Sequence, residues 1–395
     1  MTTKKILLVD DDPLVLELYR KTLVNGGYRV DTATDGLLAI KRLGEEAPDL
    51  IILDLMMPRL SGADVLKFIR GKPALARIPV AVWTNAFMSE QAREVNALGI
   101  SRAIVKGDYT PAKILQLAAE MLREPSAPGP ATSATPPRAE TSPAGRPSDA
   151  ETFRVNFLEK LVAENATLRA LAEEFGRDAA LAARTGSLSD LAGRVHRLGG
   201  SAGLAGLPCL ARLSSALEAL LLELLEKPQL INVSTTRTVT AAVGLLGRLI
   251  RHAAEHRAIP TRLGMVLTVD DDPTANEVVL AALRRADITG EAVTQPAAAL
   301  HLMAQQPFDL ALLDVELPQL NGFELCRKLR ELPGRANLPV VYITSYVDFE
   351  SRAKAAGTTD SDWIVKPILP IELAVKALTH LIQMRCPDDS TPSEA

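Results

Sequence analysis

Aromatic residues, cysteines and long apolar runs are all scarce in this chain of 395 residues. Aromatic residues make up only 4% of it, so its cores must consist mainly of aliphatic side chains. The cysteines Cys209, Cys326 and Cys386 are odd in number and lack metal-ligand spacing, which indicates a reduced, cytoplasmic protein. No stretch reaches the roughly 20 apolar residues of a membrane helix, so we expect no membrane insertion. A net charge of −4 does not favour direct nucleic acid binding.

The most informative feature is an internal repeat at a constant offset of 260 positions. ILLVDDDP (6–13) reappears within MVLTVDDDP (265–273), and DLIILDLMMPRLSG (49–62) reappears as DLALLDVELPQLNG (309–322). One register held over about 100 residues without an insertion is not expected by chance. The two copies therefore have the same fold.

Each repeat alternates short apolar runs with amphipathic segments. Apolar strands spaced by helices are typical of a doubly wound α/β domain, in which a five-stranded parallel sheet is covered on both faces. In the first repeat we expect strands at 5–9, 29–33, 49–53, 79–83 and 102–105. The two repeats predict one such domain at 1–124 and another at 263–385.

The chain between and after the repeats has a different composition. Residues 125–150 contain many prolines and no apolar residue larger than alanine, which predicts a flexible linker. Residues 151–258 show long helical periods and no strand pattern, which predicts an antiparallel four-helix bundle. We expect its helices at 151–175, 187–205, 207–226 and 234–257, with Ser187 and Ser234 as caps and Pro208 in a first turn. Residues 386–395 form a predicted disordered tail.

Polar side chains follow the predicted strands at equivalent places in both repeats. Because the carboxyl ends of parallel strands meet at one edge of a sheet, these side chains should converge there. Three converging carboxylates repel one another unless a cation is present, and such oxygen ligands suit Mg²⁺. With a hydroxyl and a lysine they could transfer a phosphoryl group to a carboxylate nucleophile. The positions are Asp10, Asp11, Asp54, Thr84 and Lys106, and then Asp270, Asp271, Asp314, Thr344 and Lys366.

These motifs resemble the receiver domains of response regulators, which have a flavodoxin-like fold. The resemblance covers about 120 residues in each repeat and implies that Asp54 and Asp314 accept phosphate. It implies Mg²⁺ as the cofactor, held by the other acids and by the backbone carbonyls of Met56 and Glu316. It further implies that the two threonines and the two lysines contact the phosphoryl group.

The first repeat departs from the family pattern more than the second does. Lys366 precedes Pro367, which the family joins through a cis peptide bond, whereas Lys106 precedes Gly107. The family's aromatic residue three positions before the lysine is Trp363 in the second repeat, but Ala103 in the first. The position after the threonine, usually very small, is Asn85 and then Ser345. We therefore expect the first repeat to keep the chemistry with an altered output.

The middle segment contains RVHRLGGSAGLAG at 194–206. A helical stripe of apolar residues places His196 on its flank, where we expect it to be exposed. Gly199 and Gly200 cost helix stability, which indicates room for a partner's surface to approach. The buried stripe comprises Leu188, Leu191, Val195, Leu198 and Ala202.

This motif, with the leucine pattern of residues 210–218, resembles the histidine-containing phosphotransfer (HPt) domain. The resemblance covers about 105 residues and implies that His196 carries phosphate. One departure concerns the third residue after the histidine, which is lysine in the family and Gly199 here.

Together the patterns predict a two-component phosphorelay protein, with a sensor histidine kinase and a downstream receiver or effector protein as partners. No ATP-binding segment of the histidine-kinase type is visible, so phosphate must come from a partner. Two alternatives stay open. One is an interaction scaffold in which His196 is inert. The other is a phosphohydrolase, which would need its nucleophile in a D-x-D motif after the first strand.

Overall fold

The structure, a computed structural model, describes residues 3–57, 59–84, 98–105, 110–123, 149–177, 181–255, 263–345 and 362–386. Among these residues, no helix is long and apolar enough to cross a membrane. The chain divides into two compact units, which are Met1–Lys160 with Gly200–Gly206, and Leu161–Gly199 with Leu207–Ala395.

The first repeat folds as an α/β domain around a five-stranded parallel sheet of order β2-β1-β3-β4-β5. Apolar strand residues are buried on both faces of the sheet, where helices cover them, as the continuous apolar runs predict. The strands are β1 (Lys5–Val9), β2 (Arg29–Ala33), β3 (Leu50–Asp54), β4 (Val80–Thr84) and β5 (Arg102–Val105). The helices are α1 (Pro13–Asn25), α2 (Gly36–Glu45), α3 (Gly62–Gly71) and α4 (Pro111–Met121).

The second repeat has the same sheet, with its strands in the order β7-β6-β8-β9-β10. All the described strand pairs in both sheets are parallel, which confirms the predicted architecture. The strands are β6 (Met265–Val269), β7 (Thr289–Val293), β8 (Leu310–Asp314), β9 (Val340–Thr344) and β10 (Asp362–Val365).

Four helices lie between the two sheets in the sequence, as predicted, and they pack on one another. Glu164 and Arg194 approach to 3.6 Å, Arg184 donates to Thr236 Oγ1 at 2.9 Å, and Asn165 donates to the Gly247 carbonyl. The helices are α5 (Asp149–Gly176), α6 (Leu181–Leu204), α7 (Pro208–Glu226) and α8 (Val233–Ala254). The second repeat follows with α9 (Pro273–Arg285), α10 (Pro296–Gln305), α11 (Gly322–Glu331) and α12 (Pro370–Gln383).

The helix caps differ from the sequence prediction at two positions. The sixth helix already includes Leu181, so Ser187 is an interior residue rather than a cap. The eighth begins after Asn232, whose side chain accepts from the Thr235 amide, and not after Ser234. Asn232, rather than Ser234, caps this helix because Thr235 completes a reciprocal capping box with it. Pro208 does occupy the first turn of α7. The helix α5 begins at Asp149, so the last two residues of the predicted linker are helical.

Candidate functional site

The acidic site of the second repeat lies at the carboxyl edge of its sheet. Asp270 follows β6, Asp314 ends β8 and Lys366 follows β10. The Lys366 Nζ atom lies 2.7 Å from Asp314 Oδ2 and 3.1 Å from Asp270 Oδ2. Both carboxylates are buried, with 0% of Asp270 and 3% of Asp314 exposed. The fold thus unites three of the predicted residues in one ion-pair cluster.

Backbone amides orient the same two carboxylates. The Asp272 amide donates to Asp270 Oδ1 and the Glu316 amide donates to Asp314 Oδ1, both at 3.0 Å. Thr344, the predicted hydroxyl contact, is fully buried at the end of β9, and its carbonyl accepts from the Lys366 amide at 2.8 Å. Each carboxylate therefore has a fixed direction.

Burial and charge act in opposite directions on the ionisable groups of this site. Burial raises the pKa of the Asp270 carboxyl above its ordinary value, and the hydrogen bonds from the Asp272 amide and Lys366 only partly offset it. Burial alone would lower the pKa of Lys366, but the hydrogen bonds to Asp314 and Asp270 outweigh it and raise that pKa. A further positive charge beside Asp270 would favour its ionised form.

The first repeat builds its acidic site in the same way. Asp10 and Asp54 are buried, with 0% and 1% exposed. The Asp12 amide donates to Asp10 Oδ1 at 2.9 Å, and the Met56 amide donates to Asp54 Oδ1 at 3.1 Å. Ser201, in the same compact unit, donates to Asp12 Oδ2 at 2.5 Å. Lys106 and the side chain of Thr84 lie outside the described residues, so their predicted roles stay predictions.

A glycine in each repeat permits the loop after β3, or after β8, to lie close to the end of that strand. A Cβ atom built on Gly62 would lie 2.0 Å from the Asp54 carbonyl oxygen, and one on Gly322 would lie 2.3 Å from that of Asp314. Real Cβ atoms do not approach a backbone oxygen so closely. Any larger residue at these two positions would displace the backbone of Asp54 or of Asp314.

The donor set of both sites fits a divalent cation. Carboxylate oxygens of Asp270, Asp271 and Asp314 all lie within 4.8 Å of one another, and Asp11 and Asp54 approach equally closely. Mg²⁺ prefers a few carboxylate ligands and keeps its other coordination positions for water and phosphate oxygens. Coordination by the carbonyls of Met56 and Glu316 stays a prediction.

His196 lies on α6, and its Nδ1 atom is 2.9 Å from Glu218 Oε1 on α7. The prediction that this histidine is exposed is wrong, because its ring turns toward Glu218 and only 11% of the side chain is accessible. The predicted stripe of five apolar residues on α6 is buried, as expected. Because a carboxylate only accepts hydrogen bonds, this contact places a hydrogen on Nδ1.

Gly199 permits a close approach between two helices of this chain, α6 and α7. A Cβ atom there would lie 3.3 Å from the Ser214 Cβ and 3.5 Å from the Ser215 Oγ on α7. The glycine therefore lets α7 pack against α6, and it does not leave a gap for a partner as we predicted. A larger residue at this position would require Ser214 to shift by a few tenths of an ångström.

Sequence reasoning missed Glu218, which is 3% exposed. Its position in the helical repeat was a usable signal. Glu218 lies directly after Leu217 and three residues before Leu221, and both leucines are fully buried. An acid in a buried phase needs a partner. The pattern did not reveal which side chain on another helix would serve.

Comparison with known proteins covers the two repeats. The family model described as "Response regulator receiver domain" matches residues 6–119 and 266–378, more than half of the chain. The alkaline phosphatase synthesis transcriptional regulatory protein PhoP of Bacillus subtilis is 48% identical over 67 residues, 17% of this chain and 28% of that protein. An uncharacterized 14.6 kDa protein of Leptolyngbya boryana is 31% identical over 121 residues, 31% of this chain and 88% of that protein.

The response regulator MprA of Mycobacterium tuberculosis is 45% identical over 67 residues, 17% of this chain and 29% of MprA. The match thus spans less than a third of the length of PhoP and of MprA.

Proposed function

Because the chain belongs to the response regulator receiver domain family, whose domains accept phosphate on aspartate, we propose that it is a phosphorelay protein. Asp54 and Asp314 accept phosphoryl groups, and His196 exchanges phosphate with them. The main support for this proposal is that one chain contains two buried aspartate sites and a histidine whose Nδ1 atom lies close to the buried Glu218. The segment with His196, 151–258, serves as the phosphotransfer domain between receivers at 1–124 and 263–385.

Both receivers use Mg²⁺. The acids at the sheet edge and the carbonyls of Met56 and Glu316 would hold it, in keeping with the clustered oxygens of the second site. When bound, the ion neutralises charge on the transferring phosphoryl group. The ligands from side chains are Asp10, Asp11 and Asp54 in the first receiver and Asp270, Asp271 and Asp314 in the second.

The chemistry at Asp314 follows from its fixed carboxylate. One oxygen attacks phosphorus, an acyl phosphate bond forms, and the P–N bond of a donor phosphohistidine breaks so that neutral imidazole leaves after taking up a proton. Lys366, already 2.7 Å from the carboxylate, balances charge on the phosphoryl oxygens, and Thr344 donates its hydroxyl to them. Asp54, Lys106 and Thr84 have the same roles in the first receiver.

His196 acts through Nε2, while Glu218 positions the ring. The carboxylate holds the hydrogen on Nδ1, favours positive charge on the ring and keeps the reacting nitrogen in one direction. Glu218 also supplies an interaction for the phosphohistidine state that does not depend on the lysine absent at Gly199.

The first receiver is the more accessible partner of His196 within one chain. The flexible linker that the sequence predicts at 125–150 would give an effective concentration on the order of mM. Residues 200–206, which begin four positions after His196, belong to the compact unit of the first receiver. Phosphate enters from a sensor histidine kinase and leaves to a downstream receiver or effector protein.

The test uses full-length single-acceptor variants, Asp54→Asn and Asp314→Asn, with radiolabelled acetyl phosphate and Mg²⁺. Each variant should lose label at its own site and keep it at the other. Acid-labile, base-stable label should then appear on His196, faster through Asp54 than through Asp314. Glu218→Gln should slow the histidine step by about tenfold or more and leave both aspartates unchanged.

A His196→Gln variant is the control for the base-stable label. Undiminished aspartate labelling in Asp54→Asn or Asp314→Asn would reject the acceptor assignment. Labelled aspartates with no label on His196 would instead support the interaction scaffold, a reading that the partial burial of this histidine favours.

A further inference from the structure

The last helix of the second receiver, α12, is buried along almost its whole length. Residues 372–379 are all buried, although Glu372, Lys376 and Thr379 are polar. The covering elements are α7 and α8, which pack against α12 within the second compact unit. The polar residues of α12 are therefore buried against other helices of the same chain.

Hydrogen bonds fix α8 to this receiver at a specific register. Ser234 Oγ lies 2.5 Å from Glu372 Oε1 and 3.0 Å from the Trp363 carbonyl. Thr238 Oγ1 donates to the same Glu372 oxygen at 3.0 Å. Because Ser234 and Thr238 are one helical turn apart, both can reach a single carboxylate. Glu372 is 2% exposed, so these bonds are shielded from water.

Charged side chains add two further contacts. The Arg237 guanidinium lies 4.1 Å from the centroid of the Trp363 ring, within the range of a cation–π interaction. Arg212 of α7 pairs with Asp287, which follows α9, at 2.5 Å. Trp363 is therefore held twice by α8, at its ring and at its carbonyl.

Trp363 lies on the strand that leads to Lys366, the partner of Asp314. It lies three residues before Lys366, on the strand that ends at Val365. Lys366 Nζ lies 2.7 Å from Asp314, and its amide donates to the Thr344 carbonyl. In this arrangement the lysine contacts the carboxylate itself. A phosphoryl group on Asp314 places its oxygens farther out, so Lys366 and the end of β10 must shift to follow them.

We propose that α8 is the output element of the second receiver. Phosphorylation of Asp314 loosens the contact of α8 with β10 and α12, and that contact in turn restrains phosphorylation of Asp314. The inference rests on the proposed role of Asp314 as a phosphate acceptor. It follows that the second receiver signals to the helical segment of its own chain through Trp363, a residue that Ala103 replaces in the first receiver.

If phosphorylation of Asp314 weakens the contact of α8 with the receiver, then weakening that contact must favour phosphorylation of Asp314, because coupling is reciprocal. In a full-length Asp54→Asn, His196→Gln background, acetyl phosphate can label only Asp314, whose carboxylate oxygen attacks phosphorus as acetate leaves. Ser234→Ala and Arg237→Ala should increase the labelling rate about fivefold, the lower end of common coupling free energies. Arg237→Lys keeps a cation over Trp363 and should restore much of the parent rate. Arg251→Ala, an exposed arginine in the last turn of the same helix, is the matched control and should have no effect.

Hydrogen exchange provides the second measurement. Amide protection over residues 237–243 of α8 should fall when the parent is phosphorylated, and should fall without phosphate in Arg237→Ala. Labelled Asp314 with unchanged protection, and with parent rates in Ser234→Ala and Arg237→Ala, would overturn the inference while leaving the acceptor assignment intact. An Asp314 that takes no label in the parent would refute both.

Discussion

The two receivers share a sheet and an acidic site but differ in what surrounds the last strand and helix. At the fixed offset of 260 positions, Arg102 and Glu120 of the first receiver correspond to Asp362 and His380 of the second. The first pair is exposed, with 48% and 41% of the side chains accessible and 2.7 Å between the charged atoms. In the second, Asp362 lies 2.8 Å from Lys376, which is 2% exposed, and 3.3 Å from His380.

This reversal of charge accompanies a change of environment. Helix α4 of the first receiver exposes Ala112, Lys113 and Gln116, whereas their counterparts on α12 are the buried Glu372, Leu373 and Lys376. The two repeats share the acidic residues at the sheet edge. The residues on the outer face of the last helix differ, and in the second receiver they pack against helices α7 and α8.

The largest expected difference is at the conserved lysine. Lys366→Met should reduce labelling of Asp314 by acetyl phosphate about 100-fold, because it removes the cation that balances the phosphoryl oxygens. Labelling of Asp54 in the same chain is the internal control and should not change. Peptide mapping of the labelled protein measures both. Equal loss at the two sites would mean that the substitution disturbs more than the second receiver.

The next effect is on stability. Asp362→Asn should lower the free energy of unfolding of the second receiver by about 3 kcal/mol, since it leaves the buried Lys376 ammonium without its carboxylate. The equivalent change Arg102→Ala in the first receiver should cost about 0.5 kcal/mol or less, because that pair is exposed. Urea titrations followed by Trp363 emission in a Trp83→Phe protein, and by Trp83 emission in Trp363→Phe, measure the two receivers separately. Similar losses would remove the proposed distinction.

The same carboxylate predicts a pH dependence. Burial alone would raise the pKa of Asp362, but the hydrogen bond from His380 and the charge of Lys376 outweigh it and hold that pKa well below its ordinary value. The stability that Asp362 contributes is therefore complete above its unfolded pKa of about 4 and is lost as the pH falls toward the folded pKa. The difference between parent and Asp362→Asn should shrink below about pH 4. A constant difference down to pH 2 would contradict an ionised Asp362 as its source.

The smallest effect is spectroscopic. Acetyl phosphate with Mg²⁺ should change the emission of Trp363 in Trp83→Phe more than that of Trp83 in Trp363→Phe. Trp363 lies against Arg237 next to the strand end that carries Lys366, whereas Trp83 stacks on Tyr19 in the core, 5.3 Å between ring centroids. Asp314→Asn is the control for the Trp363 signal. A silent Trp363 beside a phosphorylated Asp314 would count against the larger output of the second receiver.

Much of the fold follows from local patterns. The strands β1, β2 and β5 have the predicted bounds, because apolar periodicity is a local signal. The cis Lys366–Pro367 peptide is present, as the family resemblance implies. Ser187 and Ser234 failed as caps because a serine before an apolar run can equally be an interior residue, and Ser234 uses its hydroxyl on Glu372.

Strand alternation and a repeat in register predict two parallel-sheet domains and the edge at which their acids meet, because both are properties of short stretches of chain. The partners of the buried polar groups depend on tertiary packing instead. Glu218 meets His196, and Glu372 meets Ser234 and Thr238, across helices that are far apart in the chain. Periodicity fixes which face of a helix is buried. Which residues lie opposite that face depends on how whole helices pack, and no local pattern encodes it.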